Sequence, residues 1–501
     1  QQTNTLQSFL GESTGGVTDS LKNRVSMPMT GSYQDTDHVL GHELVHAFQY
    51  NIAQSRQGVG IQGLSRLPLW SVEGMAEYLS VGRDDPLTAM WMRDAVRRDD
   101  LPTIEQLGRD FRYFPYRFGQ ALWAYLAGTY GDDAVAILFR NALRQGWEPA
   151  LRMTLGVNSE DLSEAWAESM KSDYLPLMES RDAPSESGLE ILSPATGSGS
   201  QNLAPSLSPD GQRLVYISEK DLFSFDLFLA NASSGDVEKK ISSSSTSPHF
   251  DALRFTDSSG SWSWDGNRLA YVVFADGDNH IVLVDSRNGD IEEKIAIDGI
   301  GAIQGPTWSP DGRTIAFSGS KGGLSDLYLY DTESKETTQL SFDRNADFQP
   351  TFSPDGTTLA FATDRSEGTD FDRLKYAKFQ VALMDIGTRE IRVLDLFGPS
   401  VKHINPQFSP DGEKLYFISD VDGFSNIYRV ELETGAIERI TNVATGVSGI
   451  SWSAPAMTVA QRSGEIVFSV FDEFEFHIYR LDSEEVEDRA QEIVRAEPGP
   501  G

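Results

Sequence analysis

The chain of 501 residues contains no cysteine, so it forms no disulfide and carries no thiol chemistry. No apolar run reaches the roughly 18 residues that a membrane-spanning helix needs, and the first residues lack the apolar core of a signal peptide. Positive charge is also scarce, because 42 Lys and Arg stand against 75 Asp and Glu, a net charge of -33. Such a surface repels nucleic acid and anionic membranes. We therefore expect neither a nucleic-acid partner nor a membrane span.

Length and charge distribution indicate more than one domain. A chain of 501 residues exceeds what a single hydrophobic core usually organises. Residues 1–185 hold 16 Lys and Arg against 24 Asp and Glu, so -8 of the total -33 lies there and -25 in the remainder. A polar segment rich in Pro, Ser and Gly, residues 182–188, predicts the boundary. We expect one domain over residues 1–185 and a second, more acidic one after it.

A His-Glu-Leu-Val-His pentapeptide, residues 42–46, is the strongest functional signal in the chain. It lies in a segment predicted to be helical from Asp37, as the N-cap, to Tyr50. Positions four apart share a helix face, so the imidazoles of His42 and His46 can converge on one ion. The predicted buried stripe of this helix consists of Leu40, Leu44, Val45 and Phe48.

A second helix, predicted to begin after Pro68, supplies two carboxylates. Glu73 and Glu77 stand four residues apart within Trp70–Tyr78. Such pairs usually lie on a solvated face, but the apolar residues around them predict a mostly buried helix, in which carboxylates need partners. We predict one zinc ion per chain, with Glu43 as the general base and Glu77 as acceptor of a hydrogen bond from a ligand imidazole. The predicted zinc ligands are His42, His46 and Glu73.

The two motifs together resemble those of the gluzincin zinc metallopeptidases, which are peptidase MA-like, over about residues 20–175. The resemblance implies a mainly helical α+β domain that hydrolyses a peptide or protein substrate. In that chemistry zinc activates a water, and Glu43 takes its proton and passes it to the leaving amine. The gap between His46 and Glu73 is longer than in gluzincin aminopeptidases, and a GAMEN-type signature is missing upstream. Endopeptidase and exopeptidase activity therefore both stay open.

A third motif, residues 116–119, resembles the YxxG element of gluzincin-like domains. The resemblance implies that Tyr116 donates a hydrogen bond to the developing oxyanion. Tyr113, three residues earlier, competes for this role. The alternative interpretation of Tyr116 is a core aromatic residue at the start of a helix.

The residues ahead of the first motif are expected to contribute little. Residues 23–32 alternate enough to predict a strand, and Pro28 restricts it to a sheet edge, where it could bind substrate backbone. His38 is expected to be a partly exposed residue of the first helical turn, not a ligand. Gluzincin-like domains place several strands before this helix, and 37 residues leave room for one or two. We therefore expect an N-terminal truncation.

After residue 188 the sequence repeats with a period of about 44 to 56 residues. A Ser-x-Asp-Gly turn recurs at residues 208–211, 263–266, 309–312, 353–356 and 409–412, with residues 452–455 as a degenerate sixth copy. A polar residue then leads an apolar strand in each copy, at Asp226, His280, Asp326, Gln380, Asn426 and His477. Because one copy cannot bury its own face, six copies predict a closed ring of six blades. The two histidines are repeat positions, so we expect no second metal site.

This repeat is similar to the TolB-like six-bladed β-propellers, over residues 186–485. The resemblance implies an all-β domain with a possible protein partner on its face, and an exported, periplasmic or cell-surface protein of a bacterium. Residues 242–247 and 365–378 lengthen two blades and are candidate contact loops. Residues 486–501 are predicted to form an acidic flexible tail.

Two other functions are alternatives to the zinc peptidase. In the first, the propeller is a protein-binding scaffold and the peptidase domain is inactive, although such a relic would be expected to lose part of the five-residue motif set. In the second, the chain is a serine peptidase, but its only GxSxG match, residues 11–15, runs into Gly16 and lacks the strand-turn-helix setting of a nucleophile elbow.

Overall fold

The computed structural model describes residues 16–19, 24–55, 60–221, 225–243, 252–253, 260–275 and 277–493. The chain divides into two compact units between Ser180 and Arg181. The predicted boundary lies five residues further on. The GxSxG match at residues 11–15 falls outside the described residues, as do parts of the predicted strand at 23–32 and of the loop at 242–247.

The N-terminal unit consists of a short antiparallel hairpin followed by helices. The hairpin pairs β1 (Val17–Asp19) with β2 (Arg24–Ser26). The helices are α1 (Tyr33–Gln54), α2 (Ile61–Leu64), α3 (Leu69–Val81), α4 (Pro86–Arg97), α5 (Ile104–Leu107), α6 (Pro115–Tyr130), α7 (Asp132–Gln145), α8 (Trp147–Leu155) and α9 (Ser159–Met178). The core contains the mutually packed indoles of Trp70, Trp123 and Trp147.

Helix α1 begins four residues before the predicted N-cap. Ser32 caps it, because its backbone is extended and its hydroxyl accepts a hydrogen bond from the Asp35 N–H at 3.1 Å. The buried face also differs from the prediction. Leu40, Leu44 and Phe48 are 40%, 43% and 67% exposed. The face turned inward carries Glu43, His46, Gln49 and Ala53.

Helices α3 and α6 approach each other closely because two glycines face one another. A Cβ on Gly74 would lie 2.3 Å from the carbonyl carbon of Gly119, and a Cβ on Gly119 would lie 2.3 Å from the carbonyl oxygen of Trp70. Any side chain at either position would separate the helices. The close crossing places the first turn of α6, with Tyr116, beside the carboxylates of α3.

In its described residues, the C-terminal unit contains six antiparallel sheets that follow one another along the chain, after β3 (Leu189–Leu192). Blade 1 contains β4 (Asn202–Leu207), β5 (Arg213–Ser218), β6 (Asp226–Asn231) and β7 (Val237–Ser243). Blade 2 contains β8 (Ala252–Leu253), β9 (Ser261–Trp262), β10 (Arg268–Ala275), β11 (Asp278–Asp285) and β12 (Ile291–Ala296). Blade 3 contains β13 (Ala302–Trp308), β14 (Thr314–Lys321), β15 (Leu324–Asp331) and β16 (Thr337–Gln339).

Three further sheets complete the ring. Blade 4 contains β17 (Asp347–Phe352), β18 (Thr358–Thr363), β19 (Gln380–Asp385) and β20 (Ile391–Val393). Blade 5 contains β21 (His403–Phe408), β22 (Lys414–Ser419), β23 (Asn426–Glu431) and β24 (Ile437–Arg439). Blade 6 contains β25 (Met457–Val459), β26 (Ile466–Asp472) and β27 (Glu475–Leu481), and its outer strand is β3, from the start of the unit. Blade 6 contacts blade 1 through β26 and β4, which closes the ring.

The recurrent turns join the two innermost strands of their blades. In the turn after β4, the Ser208 hydroxyl donates to Asp210 Oδ1 at 2.7 Å and accepts from the Arg213 N–H at 2.9 Å. The turn glycine of one blade also packs on the turn proline of the preceding blade. Ideal Cβ positions on Gly356 and Gly412 lie 3.4 Å and 3.2 Å from the prolines of the preceding turns.

The sixth copy of this turn is not residues 452–455, as predicted, but Ala460–Gly464. Gly464 occupies the packing position, with an ideal Cβ position 3.5 Å from Pro410 of blade 5. Its N–H donates to the Ala460 carbonyl, four residues back, at 2.9 Å, whereas in the other copies the glycine N–H donates to a serine carbonyl three residues back. Residues 452–455 instead precede β25. The later position of the glycine in the turn and the missing Ser-x-Asp-Gly letters concealed the true copy.

The predicted flexible tail is folded over residues 486–493. Helix α10 (Ser483–Arg489) starts with a capping box between Asp482 and Glu485, and it buries Val486. Glu487 binds the buried guanidinium of Arg429 at 2.5 Å and 2.8 Å. Strand β28 (Gln491–Glu492) then adds to the edge of β24. Residues 494–501 lie outside the described part of the chain.

Candidate metal centre

Helices α1 and α3 bring three ligand-type atoms together. His46 Nε2 lies 3.1 Å from His42 Nε2 and 3.2 Å from Glu73 Oε2, and His42 Nε2 lies 3.4 Å from the same oxygen. This is the one group of three or more such side chains within 4.8 Å among the described residues. Four-residue spacing on α1 supplies the imidazoles, and the packing of α3 on α1 supplies the carboxylate.

The spacing of these atoms fits a tetrahedral zinc ion. Ligand atoms about 2.0–2.1 Å from a tetrahedral zinc ion lie about 3.3–3.4 Å from one another. The three observed separations of 3.1–3.4 Å agree with that value. Two imidazoles and one carboxylate are also a donor set that zinc accepts, and three protein ligands leave a fourth position open.

Each imidazole is oriented by a partner on its other nitrogen. His42 Nδ1 lies 2.9 Å from Glu77 Oε1, and His46 Nδ1 lies 2.9 Å from Gln49 Oε1. Gln49 is fixed in turn, because its amide donates to the Val72 carbonyl at 3.0 Å. Donation from Nδ1 leaves the Nε2 lone pair free for a metal. Gln49 was missed in the sequence, although it stands three residues after His46 on the same helix face.

A buried chain of charges holds Glu77. Arg117 on α6 lies 3.7 Å from Glu77 Oε2 and donates to Asp85 Oδ2 at 2.7 Å. Burial would raise the pKa of Glu77, but the His42 hydrogen bond and the Arg117 charge outweigh it and lower that pKa. Glu77 therefore stays ionised and accepts the His42 proton. Arg117 had no signal beyond its place in the YxxG segment.

In the metal-free centre the pKa values of the two imidazoles are raised and that of the Glu73 carboxyl is lowered. Burial would lower the pKa of His42, but hydrogen bonds to Glu73 and Glu77 and their negative charges raise it to about 9. Burial would raise the pKa of Glu73, but the two imidazoles lower it to about 2. The pKa of His46 is also raised, because the same carboxylate outweighs burial. In the metal-free centre the protonated His42 imidazole thus lies between the Glu73 and Glu77 carboxylates, and a bound cation would replace its proton.

The phenol of Tyr116 lies at this centre and that of Tyr113 does not. The Tyr116 ring stacks on His42 at a centroid distance of 5.9 Å, and burial together with the Glu73 carboxylate raises its pKa. Tyr113 instead donates to Asp100 at 2.6 Å and is buried. Of the two phenols, Tyr116 is the one that lies beside the ligand triad. Tyr50, one turn after His46, is a second nearby phenol, and its pKa is raised by burial, Glu73 and Glu43.

Glu43 is 5% exposed and faces the hairpin. Thr18 Oγ1 on β1 lies 2.5 Å from Glu43 Oε2 and 2.9 Å from the Glu43 carbonyl oxygen. The backbone at Gly16 lies against the same side chain, because a Cβ there would fall 2.7 Å from Glu43 Oε1 and Cγ. Neither residue carries a local motif, since only the fold of the hairpin onto α1 brings them here.

Among the described residues, the other histidines are not part of the ligand triad. His38 Nε2 is 3.8 Å from Glu77 Oε1, and burial lowers the pKa of His38. His280 and His477 occupy equivalent places on the third strands of blades 2 and 6, opposite Val273 and Val470. In the described part of the chain, no helix is both long and apolar enough to span a membrane.

The following known proteins are each similar to a part of this chain. Residues 256–371 match the family model of the TolB β-propeller domain. The uncharacterized peptidase YuxL of Bacillus subtilis is 27% identical over 222 residues, which cover 43% of this chain and 29% of that protein. Dipeptidyl-peptidase 5 of Porphyromonas gingivalis is 28% identical over 181 residues, covering 33% and 24%. The matched parts thus span less than a third of either relative.

Among solved structures, TolB from Acinetobacter baumannii aligns with a TM-score of 0.38 and 18% identity, covering 55% of this chain and 68% of that one. The case for the propeller rests on the family match and on the six sheets described above. The C-terminal unit is therefore a six-bladed β-propeller that is similar to the TolB propeller domain over residues 256–371.

Proposed function

We propose that the N-terminal unit is a gluzincin-like zinc peptidase, with His42, His46 and Glu73 as zinc ligands and Glu43 as general base. The observation that carries this proposal is the triad of ligand atoms at tetrahedral spacing, with an outer partner on each imidazole. Structural zinc sites are usually closed by four protein ligands, whereas three ligands beside a carboxylate that is not itself a ligand, here Glu43, suit catalysis. The peptidase names of two relatives agree with a hydrolytic function, although they match only part of this chain.

A bound zinc ion would lower the pKa of a coordinated water and polarise a peptide carbonyl. The protein's own groups do the remaining work. Glu43, one residue after His42, accepts a proton from the attacking water and delivers it to the leaving amine. The phenol of Tyr116 donates a hydrogen bond to the carbonyl oxygen as negative charge develops there, and its raised pKa keeps it protonated. Glu77 and Gln49 hold the two imidazoles in place.

The propeller is proposed to recruit or filter protein substrates. Its fold supports a binding role, since propellers present loops from every blade on one face. An exported, periplasmic or cell-surface location is part of the same proposal and follows from the TolB resemblance. Cell fractionation of the native host would check it.

The test is metal content combined with proteolysis of labelled casein by the full chain. We expect about one zinc per chain and an activity that Glu43→Gln abolishes without loss of zinc. Glu164→Gln, at an exposed glutamate of α9, is the matched control and should keep full activity. Stoichiometric zinc without cleavage of any broad substrate would favour the alternative, a propeller scaffold with an inactive peptidase domain. Absence of zinc binding would refute the metal site itself.

A further inference from the structure

The hairpin of β1 and β2 contacts the proposed general base on two sides. The Thr18 hydroxyl lies within hydrogen-bond distance of one carboxylate oxygen of Glu43, and Gly16 borders the other oxygen and Cγ. These contacts come from a segment that precedes the metal-binding motif by more than twenty residues. They concern the orientation of Glu43 rather than the binding of metal.

A glutamate has three rotatable side-chain bonds, so a helix alone does not fix its carboxylate. Thr18 donates to Oε2 at 2.5 Å, which leaves Oε1 available for a water proton. The Thr18 hydroxyl oxygen also lies 2.9 Å from the Glu43 carbonyl oxygen, so the hydroxyl is placed against the helix turn that carries the base. Gly16 provides the space, because a methyl group there would overlap the carboxylate. The two residues together define one position of the side chain.

We propose that Thr18 is a positioning residue for the general base, and that Gly16 is required as glycine because any side chain would displace that base. This inference rests on the proposed function. Displacement of a reacting group by about 1 Å can cost about 100-fold in rate. We expect the substitutions to lower kcat, because the contacts of Thr18 and Gly16 are with Glu43, the proposed base, and not with the ligand triad.

The test compares Thr18→Val with Thr18→Ser in the full chain loaded with zinc, on a fluorogenic peptide that the wild type cleaves. Valine keeps the shape and the strand propensity of threonine but removes the donor. We expect Thr18→Val to lower kcat by about 10- to 100-fold with KM within about twofold. Thr18→Ser should recover most of the rate, because it restores the hydroxyl. Thr129→Val, at an exposed threonine of α6, is the matched control and should leave both constants unchanged.

Gly16→Ala provides a second variant. It should lower kcat in the same way while zinc stays at about one per chain, because it acts on the base and not on the ligands. An unchanged or increased kcat in Thr18→Val would overturn the inference, and an increase would mean that the hairpin obstructs the base. Equal losses in Thr18→Val and Thr18→Ser, or loss of zinc in either, would assign Thr18 a structural role instead. An inactive wild type would refute the proposed function itself, so the two failures are distinguishable.

Discussion

For single residues of the site, a proton and a metal cation compete for the same imidazole nitrogen. The pKa of His42, raised to about 9, lies above its ordinary value of 6.5, so the metal-free centre holds a proton at neutral pH. Zinc needs the unprotonated nitrogen, and a bound proton must leave first. The affinity for zinc should therefore fall as the pH is lowered below about 9. The lowered pKa of Glu73 keeps its carboxylate available over the same range.

Zinc binding at pH 7.5 is expected to release at least one proton per site. Isothermal titration calorimetry in two buffers with different ionisation enthalpies measures that number. Glu77→Gln should reduce the number released, because it removes one of the two carboxylates that raise the pKa of His42. Zinc binding with no proton release would contradict the charge arrangement described here.

Among the secondary-structure elements, helix α1 has a burial pattern opposite to the usual one. Its apolar residues at helical spacing predict an inward stripe, yet Leu40, Leu44 and Phe48 are exposed. The polar face is turned inward because α3 and the hairpin pack against it, and the buried His, Glu and Gln side chains all find partners there. The hydrophobic pattern of one helix therefore does not identify its buried face when that face carries a site.

Replacing Leu44 by alanine should cost little stability. Because Leu44 is 43% exposed, Leu44→Ala is expected to lower the free energy of unfolding by less than about 1 kcal/mol. Leu126→Ala, at a buried leucine of α6, is the comparison and should cost about 2–5 kcal/mol. Urea denaturation followed by circular dichroism at 222 nm reports on the helical unit. A Leu44→Ala loss as large as that of Leu126→Ala would show that the stripe is covered in solution.

At the scale of the whole molecule, the propeller closes by joining its first strand to its last blade. Strand β3 pairs with β27, so residues nearly 290 positions apart in sequence share one sheet. The side chain of Ile191 is 1% exposed in the core between blades 6 and 1. A ring closed in this way leaves no blade with an unpaired inner face, which stabilises a repeat protein against opening.

Ile191→Ala should therefore destabilise the propeller by about 2–5 kcal/mol. Ile291→Ala is a matched control, because Ile291 is 49% exposed at the outer edge of blade 2, and it should cost less than about 1 kcal/mol. Differential scanning calorimetry of the full chain separates the two variants by their transition temperatures. Equal effects would argue that β3 does not close the ring in solution.

Patterns within a few residues of chain were enough to predict the candidate ligands and the repeat architecture. Residues four apart on a helix predicted the histidine pair and the glutamate pair, and the repeated turn together with the polar residue that leads each apolar strand predicted six blades. The sequence also placed Tyr116 at the start of a helix. It did not separate Tyr116 from Tyr113, since both stand near the same helix terminus.

The contacts between side chains of different elements depend on the tertiary structure. The contacts of Arg117 with Glu77 and of Thr18 with Glu43 depend on how the helices and the hairpin pack, because each pair is far apart in the sequence. The same holds for the sixth turn at Ala460–Gly464, which is recognised by its contact with Pro410 and not by its letters. Local patterns specify periodicity and residue type, whereas the position of a functional atom is the outcome of long-range packing.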